Sequence, residues 1–391
     1  MTMQIGYCTN VHAGPDLEST RENLAKYATQ VKQQFSPDEP MGVGLWLAAP
    51  AAQALQDAQT LDGFKSWLDS QQLVPFTLNG FPYSDFHSDV VKHDVYRPTW
   101  FNQDRLTYTT NLIDALHGLL PTGMEGSIST LPIAWDRKSM SPNQWIQTSQ
   151  QLLQLCRYLH QLEKDTGRLI YVCLEPEPGC VLDIAKDMID LFQERLLPFD
   201  DDNIVTRYLR ICHDICHSAV MFESQADVLR QYHQLGIRVG KIQVSSAVRV
   251  DFQQIDPNQR ADALEQLSSF NEPRYLHQTS VQSEDGKTEF HEDLHLALQA
   301  VDDPKLLTST WSVHFHVPIY LESLGLLSTS RQDILDCFEV CRTMPDLTHY
   351  EVETYAWNVL PEEHQVDNLA TGIAKEMQWV QDILTTRDNP E

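Results

Sequence analysis

Apolar and polar positions along the 391-residue chain fall into two kinds of segment that take turns. Short runs rich in Val, Ile, Tyr and Phe recur at "MQIGYCTNV" (3–11), "VGLWLAA" (43–49), "LVPFTLNG" (73–80), "GSISTLPIAW" (126–135), "RLIYVCLEPEP" (168–178), "YLRIC" (208–212), "VGKIQVSS" (239–246) and "HYEVETYAW" (349–357). Each has the length and composition of a buried strand. Helical periodicity fills the intervals at 16–35, 51–70, 104–120, 141–166, 181–196, 224–235 and 259–269, and closes the chain at 362–386. Strand and helix alternating in this way predict an α/β fold with a parallel sheet, most simply a closed (β/α)₈ TIM barrel. A doubly wound open sheet is the rival, and it is weakened because "YCTNVHAGPD", not a glycine-rich phosphate loop, follows the first strand.

Two further extended segments, "RYLHQTSV" (274–281) and "WSVHFHVPIY" (311–320), lie between the seventh and eighth strands, with helical patterns at 289–301 and 329–343. The region of about 250–347 therefore reads as an insertion beside the mouth of the barrel. Alternatively it contains a true barrel strand in place of one of the eight. Either way residues 1–391 read as a single domain, with no internal repeat or low-complexity tract.

Charge narrows the partners. The formal net charge is −27, from 28 basic and 55 acidic residues, which repels phosphate backbones and anionic lipid surfaces. Nucleic acid is an unsuitable partner, and the scattered Arg and Lys form no basic stripe. No stretch is apolar enough for membrane insertion, and "MTMQIGYCTNVHAG" has no basic segment followed by an apolar one, so a cytoplasmic protein is expected. The eight cysteines are spread without scaffold spacing and are expected to be reduced.

Candidate chemistry lies where polar residues close apolar strands, because a barrel gathers such positions at one face. Glu175 ends "YVCLE", with Glu177 two residues on; the bland alternative is a surface-loop carboxylate. "ICHDICH" ends with Asp214, and His217 follows three residues later, a spacing at which carboxylate and imidazole can meet one cation. Cys212 and Cys216 have no second pair at zinc-finger spacing and read as packing. In "GKIQVSSAVRV", Gln243 shares a face with Lys241 and Ser245, and Arg249 comes six residues later. Glu351, Glu353 and Tyr355 share a face of the last strand, and a buried carboxylate needs a cation or a donor. Glu175, Asp214, Gln243 and Glu353 would together ring one divalent cation.

The order Glu, Asp-x-x-His, a ligand six residues before an Arg, then Glu resembles the xylose-isomerase-like barrel superfamily, in its ketose 3-epimerase and sugar-isomerase branch. That resemblance implies Glu175, Asp214, Gln243 and Glu353 as metal ligands, His217 and Arg249 as substrate contacts, and Glu175 and Glu353 as the groups that move the substrate proton. The sequence departs from it at Gln243, where the family usually has His; an amide oxygen favours Mn or Mg over Zn. Over most of the chain, "GYCTNVHAG", "CLEPEPGC", "CHDICHSAV", "KIQVSSAVRV", "YLHQTSV", "HFHVPIY" and "VETYAWNVLP" are similar to the EboE-type metabolite traffic proteins of bacterial secondary-metabolite clusters. The resemblance implies a barrel that serves metabolite processing or traffic, with a small-molecule metabolite as partner and, by analogy, homo-oligomers.

His314 and His316, two apart on an extended segment, point to one face; with His217, His277 and His12 they could build a second metal site or a substrate pocket. The trinuclear-zinc endonucleases of the same superfamily carry an Asp where His314 stands, and histidines where Trp46 and Asn79 close the second and third strands, so a trinuclear site is incomplete here. Lys241, Trp46 and Trp357 are further candidates for binding substrate, with Phe81 and Tyr83 for stacking on a ring; Arg249 could equally form a surface salt bridge. Three classes of function follow. A metal-dependent isomerase or epimerase would move a proton on a chelated hydroxy-carbonyl compound, a sugar or cyclitol. A di- or trinuclear hydrolase would cleave a phosphoester. A non-catalytic carrier would bind a metabolite without turning it over.

Overall fold

A computed structural model describes residues 3–136, 138, 140–300, 306–360, 365–366 and 368–386. Seven parallel strands come first: β1 (Gln4–Tyr7), β2 (Met41–Trp46), β3 (Leu73–Asn79), β4 (Gly126–Thr130), β5 (Ile170–Leu174), β6 (Leu209–Asp214) and β7 (Val239–Val244). Six strands then form a separate antiparallel sheet: β8 (Val248–Asp251), β9 (Thr279–Gln282), β10 (Thr288–His291), β11 (Thr310–Val313), β12 (Ser323–Leu324) and β13 (Leu327–Thr329). β14 (His349–Val352) returns to the first sheet between β1 and β7, giving the order β1-β14-β7-β6-β5-β4-β3-β2. A parallel bridge from Cys8 to Gly44 sets the end of β1 against β2 and brings the eight strands round into a nearly closed barrel.

The strands are buried on both faces, as parallel strands under crossover helices must be. The helices that cover them carry local start and stop signals. Ser141 and Gln144 form a reciprocal capping box for Pro142–Thr166, which ends at Gly167 in the left-handed region, φ 72°. Inside the barrel the period of two selects polar residues: Tyr171, Cys173 and Glu175 from β5 onward, Lys241, Gln243 and Ser245 along β7, His349, Glu351 and Glu353 along β14. His349 meets Ser127 Oγ at 2.8 Å, and one layer up Lys241 Nζ donates to Glu351 Oε2 at 2.5 Å. Gly44 makes room for that pair, since a Cβ there would lie 1.4 Å from Glu351 Oε1.

The second sheet spans the stretch between β7 and β14, where the sequence reads as an insertion, and leans over the C-terminal mouth. Val317 N donates to Ser246 O, just past β7, and His314 N to Gln278 O, so the 314–317 segment crosses the mouth. Expected helix 289–301 is replaced at its start by β10, because the turn at Gly286 lets Thr288–His291 pair antiparallel with β9; helix follows only over Leu294–Gln299, and residue 301 lies outside the described residues. The last strand stops at Val352, five residues before the expected end, and a 3₁₀ turn (Tyr355–Val359) follows. The final helix is seen over Leu369–Thr385; residues 362–364 and 367 of its expected range lie outside the described residues.

Candidate metal centre

At the top of the barrel, β5, β6, β7 and β14 deliver Glu175, Asp214, Gln243 and Glu353 to one place. Asp214 lies in register with Gln243, and Gln243 with Glu351, so Glu353 rises one layer above the Lys241–Glu351 pair. All four side chains are buried, and one oxygen from each of Glu175, Asp214 and Glu353 lies within 4.8 Å of the others.

Their hydrogen bonds are unevenly shared. Asp214 caps the helix Ile215–Val220: its Oδ1 accepts from His217 N at 2.9 Å and from Ser245 Oγ at 2.7 Å, while Oδ2 has no partner. Glu353 Oε1 accepts from Asn10 Nδ2 at 2.7 Å and Asn79 Nδ2 at 2.9 Å, and Oε2 from Gln243 Nε2 at 2.9 Å. With its nitrogen so engaged, Gln243 keeps Oε1 unpartnered, as is Glu175 Oε2. Burial, then the charges of Glu353 and Asp214, push the Glu175 carboxyl well above the usual carboxylate range. Burial, then Asp214 and Glu351, push Glu353 up to about 8.

Three clustered buried carboxyls, two of them with an orphaned oxygen, carry a large electrostatic cost unless a cation or protons share them. The donor set is oxygen throughout, which fits a hard divalent cation such as Mn²⁺ or Mg²⁺; Glu175, Asp214 and Glu353 would hold it, with the unpartnered Gln243 Oε1 as a further donor.

Beside this cluster stand three imidazoles. His217 Nδ1 is 2.8 Å from Pro176 O, and His316 Nδ1 is 2.7 Å from Glu353 O. His314 Nδ1 is 2.7 Å from Gln278 Oε1, whose amide nitrogen donates to Glu177 Oε1 at 2.8 Å. Each partner oxygen can only accept, so each ring carries its proton on Nδ1 and its lone pair on Nε2. Burial lowers the affinity of all three rings for a second proton, His217 to about 3 and His316 to about 4.

The floor of polar groups opens into a pocket whose other lining is largely apolar, with Phe81, Phe86, Val91, Val95, Tyr275 and Tyr355 among its residues. Phe86, Tyr275 and Tyr355 pack ring on ring, with centroids 5.0 to 5.4 Å apart. Val91 N and Lys92 N donate to Arg274 O, and Lys92 pairs with Asp293, tying the 92–96 turn to the second sheet above the mouth.

Other sequence candidates lie elsewhere. Arg249 sits on β8 and is turned outward, with Nη1 on Asp333 at 3.0 Å and Nη2 on Ala219 O. The antiparallel register of the second sheet dictates this, and Arg249 does not line the pocket. Lys241 is a layer too deep, its charge consumed by Glu351. Trp46 donates its indole N–H to Pro82 O, and Trp357 packs against Gly372, both outside the pocket lining. His12 stacks on Tyr27 and contacts Tyr7 Oη; His277 engages both nitrogens, with His314 O and Glu272. Both are therefore apart from the cluster of donors. Cys212 packs with Tyr171 and Cys173, and Cys216 with Val220 and Ala247, its sulfur within 4.8 Å of donors on His314 and His316. All eight cysteines are free.

Sequence reasoning missed Asn10 as a donor to Glu353, and Tyr96 and Gln278, which both bond Glu177. Asn79 was readable by the rule that found the others, being a polar residue that closes an apolar strand.

No protein-family model matches the chain, and no curated protein matches it in sequence. Solved structures similar to it include a D-tagatose 3-epimerase-like protein, with 11% identity over 98% of this chain and 97% of the other and a TM-score of 0.49. An IOLI protein with a binding zinc atom gives 11% identity over 98% of both chains and a TM-score of 0.48. An AP endonuclease, family 2, from Brucella melitensis gives 11% identity over 62% of this chain and 80% of the other, with a TM-score of 0.36. The barrel itself is read from its strand order.

Proposed function

We propose that this protein is a metal-dependent enzyme of the isomerase or epimerase kind, moving a proton at carbon on a hydroxy-carbonyl metabolite such as a sugar or cyclitol. The observation that carries the reading is the trio Glu175, Asp214 and Glu353, buried within 4.8 Å of one another with orphaned oxygens on the first two. A bound divalent cation supplies Lewis acidity at the substrate oxygens, which makes the neighbouring C–H more acidic.

The chain's own groups supply the rest. Glu353 and Glu175 are the carboxyls that would take the substrate proton and return it. Asn10, Asn79 and Gln243 fix the Glu353 carboxylate, so that its position does not depend on substrate. His217 offers a neutral acceptor beside Asp214, 3.9 Å from its Oδ2. Phe86, Tyr275 and Tyr355 give the pocket an aromatic side against which the carbon skeleton of a substrate would lie. The likeness of seven sequence motifs to EboE-type proteins supports a place in secondary-metabolite processing or traffic, in the cytoplasm, and the acidic charge supports a small molecule over nucleic acid.

The test is exchange of substrate C–H for deuterium. Mn²⁺-loaded protein incubated in D₂O with a panel of ketoses and ketocyclitols is expected to incorporate label next to the carbonyl of at least one of them, and Glu175→Gln and Glu353→Gln to reduce that incorporation by at least 100-fold. Exchange that persists in both variants would refute the assignment. The three imidazoles favour a second reading, hydrolysis of a phosphoester on two cations, which predicts phosphate release from a generic ester and no exchange at carbon.

A further inference from the structure

The floor of the pocket is already anionic. Glu175, Asp214 and Glu353 carry three negative charges when ionised, one more than a divalent cation cancels, and Glu177 lines the same pocket. A phosphate or carboxylate on the substrate would therefore need a cation of its own or a set of free backbone N–H donors. Among the described lining residues Lys92 is the single lysine or arginine, and its ammonium is paired at 2.5 Å with Asp293, whose side chain is buried. The backbone donors are spoken for as well. Phe81 N donates to Asn79 Oδ1 at 3.0 Å, Val91 N and Lys92 N to Arg274 O at 2.8 and 3.1 Å, and Tyr275 N to Glu272 Oε1 at 3.0 Å. His217, His314 and His316 donate from Nδ1 to protein oxygens and turn acceptor lone pairs towards the pocket, which a phosphate oxygen cannot use.

The remaining lining is mostly hydrocarbon. The rings of Phe86, Tyr275 and Tyr355 pack together on one side, and the Tyr275 hydroxyl is used within that wall, donating to Phe86 O at 3.3 Å. Val91, Val95 and Leu276 add aliphatic surface. Such a lining stabilises an apolar group by taking it out of water, and leaves a charged or hydroxyl-rich group without partners.

We propose that the substrate is an uncharged compound with two unlike ends: a hydroxy-carbonyl end that meets the carboxylate floor, and a hydrocarbon end seated against Phe86, Tyr275 and Tyr355. Sugar phosphates are thereby excluded. The chelated end rests on the isomerase reading; the choice of hydrocarbon over phosphate rests on the lining alone.

Three hydroxamates test it, because they share a bidentate head that mimics an enediolate, followed by one methylene, and differ only at the far end: hydroxyl in glycolohydroxamate, phosphate in phosphoglycolohydroxamate, phenyl in phenylacetohydroxamate. Each is titrated into Mn²⁺-loaded protein in a calorimeter at one ionic strength. The phenyl compound is expected to bind at least tenfold more tightly than glycolohydroxamate, and the phosphate compound at least tenfold more weakly. Tyr275→Ser should cut the phenyl-over-hydroxyl preference at least fivefold, and Val95→Lys, which adds a cation to the lining, should strengthen binding of the phosphate compound at least tenfold. Should Tyr275→Ser fail to fold, Val95→Lys and the unaltered protein carry the test. Phenyl binding no tighter than hydroxyl, or tightest binding by the phosphate compound, overturns the proposal and leaves the isomerase reading standing. Binding of none of the three removes the chelated end and overturns both.

Discussion

Gln243 donates its amide N–H to Glu353 Oε2 at 2.9 Å, one layer above the buried Lys241–Glu351 ion pair. The amide thereby performs two tasks: its nitrogen holds a carboxylate and its oxygen is left unpartnered among further carboxylates. The arrangement leaves an amide oxygen, the kind of donor a hard cation takes, facing the cluster.

The first expectation follows directly. Gln243→Leu removes both the donor to Glu353 and the free oxygen, and should weaken Mn²⁺ binding by about 10- to 100-fold, the range seen when groups that support a metal site are lost. Titration calorimetry on the stripped protein measures it, and an unchanged affinity would remove Gln243 from the site.

Lys241 is assigned to structure. Fully buried and, among the described residues, paired only with Glu351, it neutralises that carboxylate under the candidate metal. Lys241→Met should cost roughly 3–5 kcal/mol of stability by stranding a buried charge, and Lys241→Met/Glu351→Leu should recover most of it. Urea unfolding of the single and double variants makes the comparison.

Glu376 braces the mouth from behind. It accepts from Ile319 N at 3.1 Å and Thr354 Oγ1 at 2.7 Å, joining the segment after His316 to the segment after Glu353. Burial pushes its carboxyl from the usual 4.5 to about 8. The folded chain keeps this proton while the unfolded chain releases it, so the contribution to stability is full below about pH 4.5 and is lost as pH rises towards 8. Glu376→Gln keeps the acceptor without the titration. The unfolding midpoint of this variant should fall less between pH 5 and 8 than that of the unaltered protein, where Glu175, Glu353 and Glu223 titrate with the same sign.

What the sequence makes legible depends on range. The eight strands, and Glu175, Asp214, Gln243 and Glu353 at their ends, follow from local pattern, because a polar residue closing an apolar run is visible without tertiary knowledge. Period two gives the face of a strand but not its depth, which is why Lys241 reads as a substrate contact when Glu351 meets it one layer down. Arg249 misleads for a different reason: it lies past β7 on β8, whose pairing with β11 and β13 is long-range, and that register turns it to Asp333. Asn10 and Tyr96 reach the site from short 3₁₀ turns and Gln278 from the residue before β9, and no local period marks them.

The most direct test of the central claim is Mn²⁺ binding to stripped protein, counted by electron paramagnetic resonance of free Mn²⁺, for the unaltered chain and for Glu175→Gln, Asp214→Asn and Glu353→Gln. Convergence of these three carboxylates on one ion predicts one Mn²⁺ per chain, lost or weakened at least tenfold in every variant. Equal binding by the unaltered chain and all three variants would contradict it, and would leave the buried carboxyls as protonated groups of a barrel that holds no cation there.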